Sequence, residues 1–214
     1  MSENWKIFLG IPGNRNKFII TLSALIIILF ALTRFLNYIE TRDGFIPVDP
    51  VISTVPPVDL TWLIFTVIYF SLFIAVYFLL QSPPGLMAAM QCYGLMVIFR
   101  MVLMYFVPLD PPPGMIPLAD PFVEIFGTGK LLTKDLFFSG HTATLLILYY
   151  TAESKKLKFV FLLSTILVAV SVVLQHVHYS VDILGAVFFT WLAYILTRKM
   201  NESRGILSAG LKQE

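Results

Sequence analysis

The sequence predicts an all-α integral membrane protein, a six-transmembrane-helix bundle forming one domain over residues 1–214, and three observations carry that expectation. Of the 214 residues 57% are hydrophobic and 13% charged, with a mean hydropathy of +0.82, too apolar and too poor in surface charge for an ordinary soluble globule. Six runs approach the roughly twenty mostly apolar residues that a helix needs to cross a hydrocarbon core. Lysine and arginine fall in patches between those runs, as loop charges that orient a membrane protein do.

The runs lie at about Phe18 to Leu36, Leu60 to Leu80, Leu86 to Val107, Leu136 to Ala152, Phe159 to Gln175 and Ile183 to Thr197. The fourth is the shortest in apolar character, with a polar start. The first is longer than a signal-peptide core and ends in Thr33-Arg34-Phe35 rather than at a small-residue cleavage site, so it is expected to stay as a span. Gln81-Ser82-Pro83-Pro84-Gly85 reads as a tight turn, whereas the stretch from Pro108 to Asp135 is long and rich in proline, a link expected to shape a mouth over the membrane. No internal repeat or low-complexity tract suggests a second domain.

Charge gives the orientation. Lys6, Arg15, Lys17, Lys155, Lys156, Lys158, Arg198, Lys199, Arg204 and Lys212 fall on one side, against Arg42, Lys130 and Lys134 on the other, with Arg34 and Arg100 inside spans. Both termini are therefore expected in the cytoplasm, and the long link faces periplasm, lumen or cell exterior. A net charge of +2 without a basic stripe gives no footprint for nucleic acid. Cys92 is the single cysteine, which excludes an internal disulfide and a cysteine-rich metal site.

Chemistry gathers at two places. Phe138-Ser139-Gly140-His141-Thr142 opens the fourth run and His178-Tyr179-Ser180-Val181-Asp182 opens the sixth, so the topology sets both at the outward surface. The thirty-seven positions from His141 to His178 allow one crossing inward, a short turn and one crossing back. If 178–182 is helical, His178 and Asp182 stand at i and i+4, where the carboxylate accepts the imidazole N–H and fixes its tautomer. Two histidines and an orienting aspartate suit phosphoryl transfer through a covalent intermediate, one histidine as nucleophile and the other moving protons. Ser139 and Gly140, at a helix start, offer a hydroxyl and unencumbered N–H groups for phosphate oxygens.

Blander readings stand beside this one. A single histidine at a membrane interface is commonly a hydrogen-bonded interfacial residue, and an H-x-x-x-D spacing is weak by itself. The conjunction is stronger, because two of the three histidines fall on one face of the bundle and a carboxylate near hydrocarbon is a functional candidate by default. A metal site using His141, His176, His178 and Asp182 is the competing sharp reading, though His176 and His178 would not share a helical face. For His176 the plain role is a loop residue reaching water or a headgroup. Arg100, inside the third run, would cost about 2.5 to 3.5 kcal/mol exposed to lipid, so it needs a partner: a phosphate or headgroup, or else Asp59, Asp110 or Asp135. Tyr69, Tyr77, Tyr149, Tyr150 and Trp191 read as packing or interface aromatics.

At these residues the chain resembles the phosphatidic acid phosphatase type 2 (PAP2) superfamily, and within it the sphingomyelin synthase branch. Lys134-Asp135-Leu136-Phe137-Phe138-Ser139-Gly140-His141-Thr142 is similar to that branch's Gly-Asp-aromatic-aromatic-Ser-Gly-His-Thr segment, and His178-Tyr179-Ser180-Val181-Asp182 to its His-Tyr-Thr-Val-Asp segment. Arg100, Met104 and Tyr105 reproduce an Arg followed by Met-Tyr, while Pro56-Pro57-Val58-Asp59 approximates a Pro-Pro-Leu-Pro-Asp element one residue short. The resemblance covers about residues 56–197, the expected catalytic core. The phosphatase branch's Lys-x6-Arg-Pro motif is missing, and the position of its arginine six residues before the last histidine is Val172. Lacking that basic clamp, the site suits a phosphodiester headgroup better than a phosphomonoester dianion.

The resemblance implies a PAP2-like fold and an enzyme that moves phosphocholine or phosphoethanolamine from a glycerophospholipid to ceramide or another lipid alcohol. His178 would attack phosphorus, His141 would protonate the departing diacylglycerol and then deprotonate the acceptor, and Asp182 would orient His178. Ser139, Gly140, Arg100, Asp135 and Tyr179 are the expected substrate-binding residues. No metal or other cofactor is expected, and the partners are the membrane and its lipids. A lipid phosphatase or phospholipase C with water as acceptor is the rival within the class, and a non-catalytic lipid-binding scaffold is the rival outside it.

Overall fold

The computed structural model describes residues 3–119 and 132–203; Lys130, Arg204 and Lys212, counted for orientation above, lie outside them, as does the middle of the long link. Among the described residues the chain forms seven α-helices: α1 Glu3–Gly10, α2 Asn14–Ile39, α3 Thr61–Leu79, α4 Pro83–Phe106, α5 Gly140–Thr151, α6 Lys155–Leu174 and α7 Ser180–Ser203. A short 3-10 turn, Ile52–Thr54, follows α2, and the only extended pairing among them is an isolated bridge between Phe45 and Leu109.

Five of the helices, α2, α3, α4, α6 and α7, are long and apolar enough to cross a membrane, consistent with a multi-pass membrane protein. Each expected run except the fourth matches one of them. Several helices begin earlier than hydropathy suggests, because polar and proline residues occupy first turns: Pro83 and Pro84 stand where α4 has no N–H to satisfy, so the tight turn shrinks to the residues before them. The surfaces of these helices fit a lipid environment. Ile26, Ile27 and Phe30 on α2, Phe70 and Phe73 on α3, and Leu163 and Ile166 on α6 are exposed.

The fourth expected run departs from the sixfold pattern. Instead of a span over Leu136 to Ala152, the chain enters as an irregular segment and turns helical at Gly140, giving a helix of twelve residues, about 18 Å long against a hydrocarbon core of about 30 Å. The reason is local. Ser139 caps the helix, its hydroxyl accepting from the backbone N–H of Thr142 at 3.4 Å and from the Thr142 hydroxyl at 3.1 Å. Helix α5 is the centre of the bundle: it packs against α4, α6 and α7, while α2 covers α4 and α3 flanks α6. Ala143, Leu145, Leu146, Ile147 and Leu148 are all buried, which accounts for an apolar segment that never needs to face lipid.

Two clusters meet on α5. Leu145 and Leu148 pack with Ile64, Phe65 and Ile68 of α3 and Phe161, Val168 and Val172 of α6. Ala143 and Ile147 pack with Cys92, Met96 and Val97 of α4 and Ala186 and Ala193 of α7. Helices α5 and α6 are antiparallel neighbours, so the start of α5 and the start of α7 lie at the same end of the molecule.

Candidate active site

That end brings together the two histidine motifs. The rings of His141, in the first turn of α5, and His178, just before α7, have centroids 6.3 Å apart at an interplanar angle of 64°. The motifs are also tied through the backbone, the N–H of Ser139 donating to the carbonyl of Asp182 at 3.2 Å. Gly185, one turn along α7 from Val181, makes the approach possible: a Cβ there would stand 3.0 Å from the Cβ of Phe138.

Asp182 is fully buried and His178 nearly so. The His178 Nδ1 lies 3.0 Å from Asp182 Oδ2, as the spacing leads one to expect, but the two do not share a helical face. His178 and Tyr179 precede α7, and the pairing arises because Asp182 reaches back to the helix start. The same Oδ2 accepts the Tyr179 backbone N–H at 3.1 Å, the reciprocal half of a capping box. Asp182 thus takes one backbone N–H at the start of its own helix and orients an imidazole with the same carboxylate oxygen, at a helix N-terminus that favours negative charge. With Nδ1 engaged, Nε2 is the nitrogen of His178 left to meet a substrate.

Arg100 finds its partner in the chain. Its Nη2 pairs with Asp135 Oδ1 at 2.6 Å and its Nε donates to the Phe138 carbonyl at 3.0 Å. The guanidinium lies directly beneath the start of α5, where a Cβ on Gly140 would fall 2.5 Å from Arg100 Nη1. Only glycine fits between. Ser139 and Gly140 therefore both have structural work, one as cap and one as the close approach. The first intrahelical bond of α5 runs from Ala143 to Ser139, so the N–H groups of its first turn precede the helical ladder. Of the other two carboxylates that stood as possible partners of Arg100, Asp110 pairs with Lys134 at 2.8 Å and Asp59 accepts the backbone N–H of Thr61, the first residue of α3, at 3.0 Å.

Tyr179 is 1% exposed, packed with Ile52, Leu109 and Leu136, and its hydroxyl donates to the Asp110 carbonyl at 2.9 Å. Burial beside Asp182, Asp110 and Asp49 pushes that hydroxyl up to about 12, so it stays protonated and committed to its carbonyl. His176 is buried rather than reaching water or a headgroup: Nδ1 faces the Pro113 carbonyl at 2.8 Å and Nε2 the Val55 carbonyl at 3.0 Å. It joins two loops, and no group of three or more His, Cys, Asp or Glu residues placed to hold a metal ion is found among the described residues. Tyr77 and Trp191 are largely exposed, Tyr69 stacks on Phe65 and Tyr150 on Tyr194, in keeping with packing and interface roles.

Two supports of the site carry little sequence signal. Asp49 accepts from the Ser180 N–H at 2.6 Å and the Ser180 hydroxyl at 3.1 Å, fixing the first residue of α7 from 131 positions away. Burial raises its carboxyl, but hydrogen bonds from Ser180, Ile52 and Val51 outweigh it and hold the group below the ordinary value. Gln175, wholly buried, accepts from Leu60 N–H at 2.9 Å and donates to Thr61 Oγ1 at 2.8 Å and Ile116 O at 3.1 Å. The Pro56–Asp59 element lies against this turn, Val58 donating to the Leu174 carbonyl at 3.0 Å.

Residues 134–200 match the family model described as PAP2 superfamily C-terminal. The matched stretch contains both histidine motifs and supports placement in the PAP2 superfamily, and with it an enzyme of the lipid phosphatase or phosphotransferase type acting on phosphate esters. No curated protein matches the chain.

Proposed function

We propose that this protein is a sphingomyelin-synthase-like lipid phosphotransferase, moving phosphocholine or phosphoethanolamine from a glycerophospholipid to ceramide or another lipid alcohol. The observation that carries the reading is the buried contact of His178 Nδ1 with Asp182 Oδ2 at 3.0 Å beside a second imidazole, that of His141. Nε2 of His178 attacks phosphorus, the bond to the diacylglycerol oxygen breaks, and His141 supplies the proton that the leaving alkoxide takes. The headgroup then rides on His178 until the acceptor hydroxyl, giving its proton to His141, attacks phosphorus and frees the imidazole. Asp182 holds the tautomer and balances the positive charge that develops on His178.

The charge inventory supports a phosphodiester substrate. Arg100, beneath the start of α5, and Lys134, on the segment that leads into it, each face a carboxylate, so neither is an unopposed cation for a phosphomonoester dianion. Arg100 acts in this reading by holding the start of α5, a helix N-terminus of the kind that favours phosphate oxygens. Both termini lie in the cytoplasm, α5 serves as a sixth, internal pass, and the histidine pair faces periplasm, lumen or exterior.

The test is product analysis. Purified protein is incubated, with EDTA present, with labelled phosphatidylcholine or phosphatidylethanolamine, with and without ceramide. Label should move to a lipid product only when ceramide is added, and His178→Ala should abolish both release and transfer. Water-soluble product alone would replace the transferase reading with the hydrolase one; activity lost to EDTA would restore the metal reading; activity surviving in His178→Ala would remove the covalent mechanism.

A further inference from the structure

A cavity of about 610 Å³ opens at the end of the bundle away from the histidine pair. It lies where α3 and α5 end and α4 and α6 begin, whereas His141 and His178 stand at the starts of α5 and α7. Its volume falls in the range of small-molecule sites, about 300–1,000 Å³. The floor is apolar, formed by Ala75 and Phe78 of α3 and Leu157 and Phe161 of α6, with Ile7 of α1 and Ile11 just after that helix lying over it. Phe161 is six residues into α6, so the cavity reaches about 9 Å below the helix ends.

One wall is a helix held in place for no purpose within the histidine site. Helix α1 is tacked to the turn after α3 by the Trp5 indole N–H on the Leu80 carbonyl and the Asn4 amide on the Gln81 carbonyl, each 2.8 Å. At its far end the buried Asn14 amide donates to the Phe8 carbonyl at 3.2 Å. These bonds keep Ile7 and Ile11 over the floor.

Charge narrows the occupant. Among the described lining residues Glu153 alone is charged, and its Oε1 accepts from the Ser82 hydroxyl at 2.8 Å. Lys155 and Lys156 stand exposed just outside, at the start of α6. A phosphate or carboxylate headgroup would meet Glu153, and an ammonium would meet the two lysines. An uncharged hydroxyl meets neither objection and donates to the carboxylate.

We infer that this cavity is a binding site for an uncharged, single-chain lipid alcohol, its chain on the floor beneath α1 and its hydroxyl on Glu153. The inference stands apart from the histidine chemistry, because its readout is equilibrium binding. Trp5 lies in the cavity wall helix between Asn4 and Ile7, and in a Trp62→Phe, Trp191→Phe background it is the sole indole reporter.

The protein in phosphatidylcholine vesicles is titrated with a brominated long-chain alcohol, and with the fatty acid and the primary amine of the same chain. The alcohol should quench Trp5 saturably at about a tenfold lower concentration than either, the size of one hydrogen bond to a charged acceptor. Ala75→Phe, which fills the floor, should remove the saturable component. Glu153→Lys, an exposed change that leaves the fold in place, should make the fatty acid the preferred ligand and carries the test alone if Ala75→Phe does not fold. Equal quenching by all three probes, or a preference unchanged in Glu153→Lys, would overturn the assignment and leave ordinary lateral contact with lipid.

Discussion

A single oxygen of Asp182 serves His178 and the start of helix α7 at once, accepting the imidazole at 3.0 Å and the Tyr179 backbone N–H at 3.1 Å. Orientation of the imidazole and formation of the helix therefore depend on the same atom, and the two functions are separated by choosing the substitution.

Asp182→Asn keeps a side-chain oxygen for the cap and loses the charge that complements an imidazolium. Turnover of labelled phospholipid should fall by about 10²- to 10⁴-fold, while the melting temperature in detergent changes little. Asp182→Ala should lose the same activity and, in addition, about 1 kcal/mol of stability from the missing cap.

Gly140→Ala places a Cβ against the Arg100 guanidinium. The neighbour is a charged group held at both ends by Asp135 and the Phe138 carbonyl, so the helix start must shift. Destabilisation of about 1–3 kcal/mol and a large loss of activity are expected together, measured by thermal unfolding and headgroup transfer. Arg100→Lys in the same chain should recover part of the stability, and two additive losses would show that the contact is not the cause.

Asp135→Ala leaves a guanidinium that is 7% exposed without its carboxylate. Breaking a fully buried pair costs about 3–5 kcal/mol; because the Asp135 side chain is 29% exposed, water relieves part of this, and about 1–2 kcal/mol is expected by thermal denaturation.

Asp49 gives a pH dependence of definite sign. Its carboxyl is held below the ordinary value in the folded protein, so its contribution is present above the unfolded carboxylate value, about 3.9, and is lost as pH falls through the lower folded value. The melting temperature of the wild type should therefore drop more steeply on acidification below about pH 4 than that of Asp49→Asn. Parallel curves would remove Asp49 as an anchor of α7.

Much of the site was legible from sequence for reasons that can be stated. Helices that must satisfy their own backbone in lipid have to be long apolar runs, so five were readable directly, and counting crossings put His141 and His178 at one end. The pairing of His178 with Asp182 was also readable, although a capping turn and not a helical face creates it. Other features depend on contacts between distant segments, which local pattern does not encode. Nothing near Asp49 points to Ser180, nothing near Gln175 points to Leu60, and the requirement for glycine at position 140 comes from Arg100 on another helix. The length of α5 was misjudged because hydropathy measures burial in any apolar medium, and Leu145 to Leu148 are buried in protein instead of lipid.

That last feature has a consequence for how the bilayer acts on the site. No residue of α5 is exposed, so a thicker or thinner membrane is met by tilting of the five long helices around it, the usual response to mismatch. The helix that carries His141 is screened from that adjustment, like an axle inside a wheel that flexes. Lipid chain length should accordingly alter how substrates arrive at the rim far more than it alters the spacing of the two imidazoles.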